Sequence, residues 1–518
     1  MCLNSQTKNL RLFERPISRP RMTRYGDRWA CELMRSGERN MTETVQQGDE
    51  RKENKVVEKA DQDDPNLLGE KADSNEGVEV EALGLRDSLR AIFSWRNYSV
   101  YLATSWVITS FLYMGLFLNL YFLELGWEYV MIGAVFSLMN FIAIMGRFMG
   151  GYLGDVVNRK HLSVVATLVL AFYNLILGLS TVFTLIFIAL FLGALVEVFK
   201  SGSSAYIMEN IPKEHSGLGI SLFSASGRTF GVVTLAALVI LVPILGFGSA
   251  LRTMFFIGGV FLVIAAIARA VLLDGSPPKN TREGKSVFRS FIEDNRRAAG
   301  ILIRAAPGLL AVVIVDGLSD SLFRFGSNIY IYEVIGIGFE GIVIITLSTT
   351  LLSVPMLLGM GRMTDRRGVT RAALLVYSAM PVCAALMFIS PVVPYWAPSA
   401  WVASAESLVV GLGAVFSTPF IAVVIKSAND AVWYLILFTI IQKNLPKKDT
   451  SKILSTFWFV TYLSTSVGPY LGGLIFQFSV PQYLFAAVLA LNIIIMVAIY
   501  SKGLVNKATM SDLNSSEE

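Results

Sequence analysis

The chain has 518 residues, 54% of them hydrophobic and 16% charged, against roughly 25% charged in soluble domains. The apolar residues come in long blocks, which excludes a single soluble domain and points to a chain that crosses a bilayer many times. The net charge of +5 is carried by short loops between those blocks, so it is no nucleic-acid footprint.

Residues 1–40 are rich in arginine and contain no apolar segment of signal-peptide type. They read as an overextended start, with Met41 as the first residue of the working protein; an organellar presequence is the alternative. Residues 41–85 are strongly polar, with no aromatic residue, and are expected to be disordered, so 1–85 is read as a cytoplasmic tail. Apolar stretches long enough to cross a bilayer follow at 98–123, 128–152, 161–180, 182–208, 217–243 and 251–273. After a polar, basic linker at 274–300 they resume at 303–334, 339–361, 370–390, 416–442, 453–477 and 481–500. The expected organisation is therefore all-α and membrane-integral, with about twelve helices in two six-helix halves, 86–273 and 301–502, and a cytoplasmic tail at 503–518.

Basic residues sit in alternate loops. Arg159 and Lys160, Lys213, the linker, Arg362, Arg366, Arg367 and Arg371, and Lys443, Lys447, Lys448 and Lys452 form one set. The intervening loops hold almost none, Arg252 excepted. By the positive-inside rule the basic set is cytoplasmic, which puts both termini inside, and the plasma membrane is the expected location.

The two halves repeat. Gly126 and Gly336 lie 336 − 126 = 210 positions apart, and so do Asp155 and Asp365 (365 − 155 = 210) and Gly151 and Gly361 (361 − 151 = 210). Ile211-Pro212-Lys213 matches Leu445-Pro446-Lys447 at 446 − 212 = 234, so the second half gains 234 − 210 = 24 residues. The excess falls near 391–415, around Pro391, Pro394, Trp396 and Pro398, and reads as an enlarged outer loop with an interfacial or re-entrant helix. An internal duplication of a membrane half-domain is a common way to build a transporter.

Two stretches carry a family resemblance: Gly151-Tyr152-Leu153-Gly154-Asp155-Val156-Val157-Asn158-Arg159-Lys160 and Gly361-Arg362-Met363-Thr364-Asp365-Arg366-Arg367-Gly368-Val369-Thr370-Arg371. Both resemble the loop signature G-x-L-x-D-R-x-G-R-[KR] of the major facilitator superfamily. The second copy keeps Gly361, Asp365, Arg366, Gly368 and Arg371; the first keeps Gly151, Leu153, Asp155, Arg159 and Lys160 but has Val156 for Arg and Asn158 for Gly. Asn158 still tolerates the left-handed backbone a tight turn can need. The resemblance implies that Asp155 and Asp365 bridge helix ends at a cytoplasmic gate and stabilise an outward-facing state. Gly146, Gly150 and Gly154, four apart, suit close helix packing. Gly468-Pro469-Tyr470-Leu471-Gly472-Gly473 resembles the facilitators' G-P-x-x-G-G pattern and reads first as a glycine-lined kink. The first-half stretch Ser226–Gly231 lacks that proline, which leaves the direction of transport open.

Charges at membrane depth are expensive and mark candidate substrate or ion paths. Glu197 and Lys200 are three apart on one helix, either a structural ion pair or a functional one. Arg228 has no acid near it in sequence; Asp430 has Lys426. Asp316, Asp320 and Arg324 follow at successive spacings of four and so share one helix face. Either Arg324 pairs with Asp320 and Asp316 turns to another helix or to water, or Asp316 or Asp320 carries a coupling proton while Arg324 orients it or an anionic substrate.

Cys2, Cys31 and Cys383 are scattered, and His161 and His215, the two histidines, lie at expected helix ends. Neither set has metal or disulfide spacing, so no metal or cofactor is expected. No G-x-x-x-x-G-K-[ST] loop or catalytic constellation is present, so the chain is not expected to be an enzyme or to use ATP directly. The expected function is secondary active transport of a small-molecule substrate, with the lipid bilayer as its surroundings and a coupling ion, the proton, as driver. A non-transporting receptor or sensor on the same scaffold is the alternative.

Overall fold

The computed structural model describes residues 90, 92–210, 216–275, 287–305, 307–367, 376–444 and 450–500. The expectations for 1–85, for Lys213 and for 503–518 lie outside them.

Buried apolar chain in a bilayer has no water to satisfy its backbone, so helix is the economical structure. Among the described residues there is no β-strand, only an isolated bridge between Tyr395 and Ser417. The helices are α1 Arg96–Leu112, α2 Leu118–Glu124, α3 Tyr129–Val156, α4 Arg159–Leu179, α5 Phe183–Asn210, α6 Ser216–Leu245, α7 Phe247–Leu272, α8 Val287–Ala305, α9 Pro307–Glu333, α10 Phe339–Arg367, α11 Ala379–Ile389, α12 Ser399–Leu408, α13 Thr418–Asn444, α14 Thr450–Thr465, α15 Gly468–Phe478 and α16 Gln482–Tyr500. Six segments of this set are long and apolar enough to cross a membrane on length and hydropathy alone: Arg96–Glu124, Tyr129–Gly150, Arg159–Leu179, Phe183–Lys200, Phe247–Leu272 and Gln482–Tyr500. Their outer faces expose Phe172, Ile264, Ile494 and Val497, side chains that suit lipid and not water.

Two expected spans are broken. The first bends through a 3-10 segment, Tyr113–Phe117, which links α1 to α2. The span expected at 453–477 breaks at Ser466 and Val467, between α14 and α15, with Pro469 in the first turn of the new helix. Proline lacks the N–H a continuous helix would use, so the kink read from the glycine-proline stretch is present.

The polar stretch 274–300 is not all linker: α8 starts at Val287 and runs to Ala305. Asn295 and Leu302 are buried on one of its faces while Glu293, Arg296 and Arg297 are exposed, so an amphipathic helix forms where charge density alone suggested a connector. The excess in the second half is a folded loop. It holds the ten-residue α12 and a 3-10 turn at Leu412–Phe416, too short to cross a bilayer. Glu406 stitches it by accepting from the Gly411 and Gly413 N–H groups at 2.6 and 3.0 Å.

The repeat is visible in the backbone. Gly126 and Gly336 both adopt left-handed geometry, φ 81° and 77°, where a side chain would be strained. Asn158 does not use the left-handed backbone it tolerates: its φ of −57° is ordinary, and its side chain caps α4 by accepting from Lys160 N–H at 2.9 Å.

At the end of the bundle that carries Gly126 and Gly336, one buried cluster joins residues from before and after the linker, among them Phe117, Tyr121, Phe247, Phe323, Tyr330 and Phe485. Phe247 stacks on Phe339 with ring centroids 4.2 Å apart, and Tyr129 meets Phe476 at 5.5 Å. The seam is backbone-tight. A Cβ on Gly133 would lie 2.3 Å from the Pro469 carbonyl oxygen, and one on Gly473 would lie 2.5 Å from that of Tyr129. Among the described residues, two smaller buried clusters each draw on one half, one on 92–273 and the other on 302–499, while Phe148 and Phe459 still meet across the halves at 5.3 Å.

Candidate functional site

A cavity of about 870 Å³ lies between the 3-10 segment Tyr113–Phe117, α2 and α3 on one side and α9, α10, α13, α14 and the start of α15 on the other. That size is ordinary for a small-molecule site. One wall is neutral, with Tyr113, Asn119, Phe136 and Asn140; the other carries Asp320, Arg324, Lys426 and Asp430.

These four form a closed ion network between α9 and α13. Lys426 Nζ, its side chain only 5% exposed, bonds Asp320 at 2.5 Å and also bonds Asp430. Arg324 Nε bonds the other oxygen of Asp320 at 2.7 Å. Its Nη2 reaches Asp430 Oδ2 only at 3.4 Å, and the Arg324 side chain remains 65% exposed. The spacings of four place Asp320 with Arg324 and Lys426 with Asp430 on single helix turns, and packing of α9 on α13 brings the two pairs together. Two acids against two bases leave the cluster formally neutral. The sequence offered two separate local pairs, Asp320 with Arg324 and Lys426 with Asp430; the structure joins them into one network, with Lys426 serving both acids.

Asp316 is one turn away, does not line the cavity, and has no ion-pair partner among the described residues. It turns to other helices: the Tyr377 hydroxyl lies 2.7 Å from Oδ1, and Trp433 Nε1–H donates to Oδ2 at 2.9 Å. Tyr377 is equally 2.7 Å from Asn492 Oδ1. Asn492 cannot flip freely, because its amide nitrogen donates to the Val488 carbonyl at 2.8 Å. One phenolic proton therefore faces two acceptors. A proton on Asp316 resolves the conflict: the acid donates to Tyr377 oxygen and Tyr377 donates to Asn492.

Glu197 pairs with Lys200 at 3.3 Å and more closely with Arg147 Nε at 2.6 Å. The Arg147 guanidinium also sits 4.5 Å over the ring of Tyr462, a cavity residue from the other side of the bundle. Glu197 and Lys200 do not themselves line the cavity. Gly146 allows this approach: a Cβ there would lie 2.9 Å from a Val198 methyl.

Sequence reasoning passed over Arg269, which is 2% exposed. It donates to the hydroxyls of Thr104, Ser105, Ser163 and Thr167 at 2.7 to 3.2 Å and lies 4.3 Å over the Tyr101 ring, tying α1, α4 and α7. An arginine deep inside the apolar block 251–273, whose other arginine, Arg252, lies at its very start, was the available signal.

The gate residues are only partly visible. Gly151 and Asp155 end α3, and Gly361, Asp365 and Arg366 end α10, but their side chains fall outside the described residues, as does that of Arg228 within α6. Arg159 and Lys160 open α4. Gly368 and Arg371 lie outside the described residues altogether. Among those described, no cluster of His, Cys, Asp and Glu could hold a metal ion.

The fold resembles solved transporters at low identity. The nucleoside transporter NupG aligns with a TM-score of 0.58 and 13% identity, covering 78% of this chain and 98% of that one. A POT family transporter in complex with 5-aminolevulinic acid gives 0.55 and 12%, covering 77% and 94%. A bacterial homolog of the human lysosomal transporter Spinster, in an inward-facing and occupied conformation, gives 0.56 and 10%, covering 81% and 98%. A search of curated proteins finds no match. The family described as Major Facilitator Superfamily matches residues 98–432, well over half the chain, so this multi-pass membrane protein belongs to the major facilitator superfamily of transporters.

Proposed function

We propose that the protein is a secondary active transporter that moves a small polar solute by alternating access, driven by a proton gradient. About twelve of its helices would cross the membrane, in two six-helix halves, 86–273 and 301–502, joined through 274–300, with both termini cytoplasmic in the plasma membrane. The observation that carries this reading is the cavity. It is lined from both halves, it holds charges at bilayer depth, and it lies beside a seam that packs the halves tightly at the Gly126 end. A site in that position serves a solute that is exposed to one side at a time. The similar folds named above include a nucleoside transporter and one bound to 5-aminolevulinic acid, which supports a small-molecule cargo.

Within this reading Asp316 is the proton site. Asp320 is clamped by two cations, whereas Asp316 has none and sits in a hydrogen-bond chain completed by a proton. Asp155 and Asp365 act at the cytoplasmic gate. Glu197, Lys200 and Arg147 brace the wall that meets Tyr462.

Reconstituted vesicles test the proposal. A pH step of one unit supplies about 1.36 kcal/mol per proton, enough for roughly tenfold accumulation at one proton per solute. Accumulation that a protonophore abolishes is expected. Binding of a solute without any flux would favour a receptor on this scaffold instead.

A further inference from the structure

The ion network has one weak edge, and it faces the cavity. Three of its contacts are tight: Asp320 to Arg324 and to Lys426, and Lys426 to Asp430. The fourth, Arg324 Nη2 to Asp430 Oδ2, is 3.4 Å, at the limit of a hydrogen bond. Lys426 is enclosed, but Arg324 is 65% exposed and Asp430 30% exposed. A cation and an anion thus stand side by side at the wall, each with unspent capacity, and each anchored from behind by a partner of opposite sign.

We infer that the substrate is a zwitterion whose carboxylate docks on Arg324 and whose ammonium docks on Asp430, entering the long contact between them. Charge balance supports this. The network is neutral, so a singly charged solute would bring one uncompensated charge to bilayer depth, while a zwitterion brings none. A guanidinium fork matches a carboxylate, and Asp430 Oδ2 can accept from an ammonium once Arg324 turns to the ligand. The rest of the substrate meets Phe136, Phe323 and Tyr462, with Asn119 and Asn140 on the far wall. An apolar or aromatic body of amino-acid or dipeptide size is favoured. This inference rests on the cavity being the transport site, and its test reads binding separately from flux.

Purified protein would be titrated with phenylalanine and alanyl-phenylalanine, zwitterions of shorter and longer charge separation. The controls are phenethylamine, which lacks the carboxylate, 3-phenylpropionate, which lacks the ammonium, and the neutral 3-phenylpropanamide. At least one zwitterion is expected to raise the melting temperature and to bind at least tenfold tighter than any control. Arg324→Gln should shift preference to phenethylamine, and Asp430→Asn to 3-phenylpropionate, because each leaves the opposite charge in excess. If the glutamine variant fails to fold, Arg324→Lys keeps the charge and should retain zwitterion binding with reduced affinity. Equal binding of the controls, or no binding of either zwitterion, overturns the inference. If a zwitterion binds with this selectivity but never accumulates in vesicles, the site stands and the transport reading falls. Accumulation of another solute class, unaffected by the zwitterions, leaves transport standing and removes the zwitterion site.

Discussion

Replacing Asp316 with asparagine separates proton coupling from folding. The amide is nearly the shape of the protonated acid. Its oxygen can keep the Trp433 Nε1–H bond, now 2.9 Å, and its NH₂ can donate to Tyr377, which then donates to Asn492. All three hydrogen bonds survive, so Asp316→Asn should cost less than about 1 kcal/mol of stability. Asp316→Ala would strand the buried Trp433 N–H at about 1–3 kcal/mol, while Tyr377 would keep Asn492 as its acceptor. Both variants lose the titratable oxygen, so both should lose coupling, and only the asparagine variant does so without a large loss of stability. With no titratable oxygen, the asparagine variant cannot bind a proton. Gradient-driven accumulation should fall from roughly tenfold per pH unit to none, while exchange of labelled for unlabelled solute, which needs no net proton movement, continues. The assay is uptake by vesicles with and without a pH gradient, with exchange as the control. Full gradient-driven accumulation by Asp316→Asn would refute the assignment.

Asp320→Asn should behave differently. It breaks the tighter half of the network around nearly enclosed Lys426, a loss of about 3 kcal/mol seen as a lowered melting temperature and reduced exchange; an unchanged melting temperature would count against the network. Gly133→Ala puts a methyl 2.3 Å from the Pro469 carbonyl oxygen, a strain of about 1–3 kcal/mol against the closed seam. A cysteine placed at Leu116 in that background should react faster with reagent added from the Gly126 side than the same cysteine with Gly133 intact, and unchanged reactivity would show that the seam does not seal the cavity. Ser399→Cys, in the enlarged loop, should be labelled on intact cells by an impermeant reagent, because the loop from Pro391 to Ser417 has no lysine or arginine; labelling only after lysis would place the loop inside.

What the sequence by itself determined was whatever the bilayer enforces locally. Apolar block length predicts helices, since a backbone in lipid must satisfy itself, and six of those blocks are helices long and apolar enough to cross a membrane. The 210-residue repeat marked Gly126 and Gly336 as equivalent turns, and both are left-handed. Pro469 marked the break between α14 and α15. The four-residue spacing placed Asp316, Asp320 and Arg324 on one face of α9, because spacing along a helix is a local property.

Only the tertiary structure decided which acid is paired. Asp320 meets Lys426 across 106 positions of chain, and Asp316 meets Tyr377 and Trp433 across 61 and 117. Tyr377 and Trp433 stand in apolar runs like any other aromatic residues, so no spacing distinguishes them. Arg147 and Tyr462 likewise come from opposite sides of the bundle. Helix periodicity says which residues share a face, but not which neighbour that face meets. That choice follows from how glycines such as Gly133 and Gly473 let backbones approach, a property of two surfaces together and not of either stretch alone.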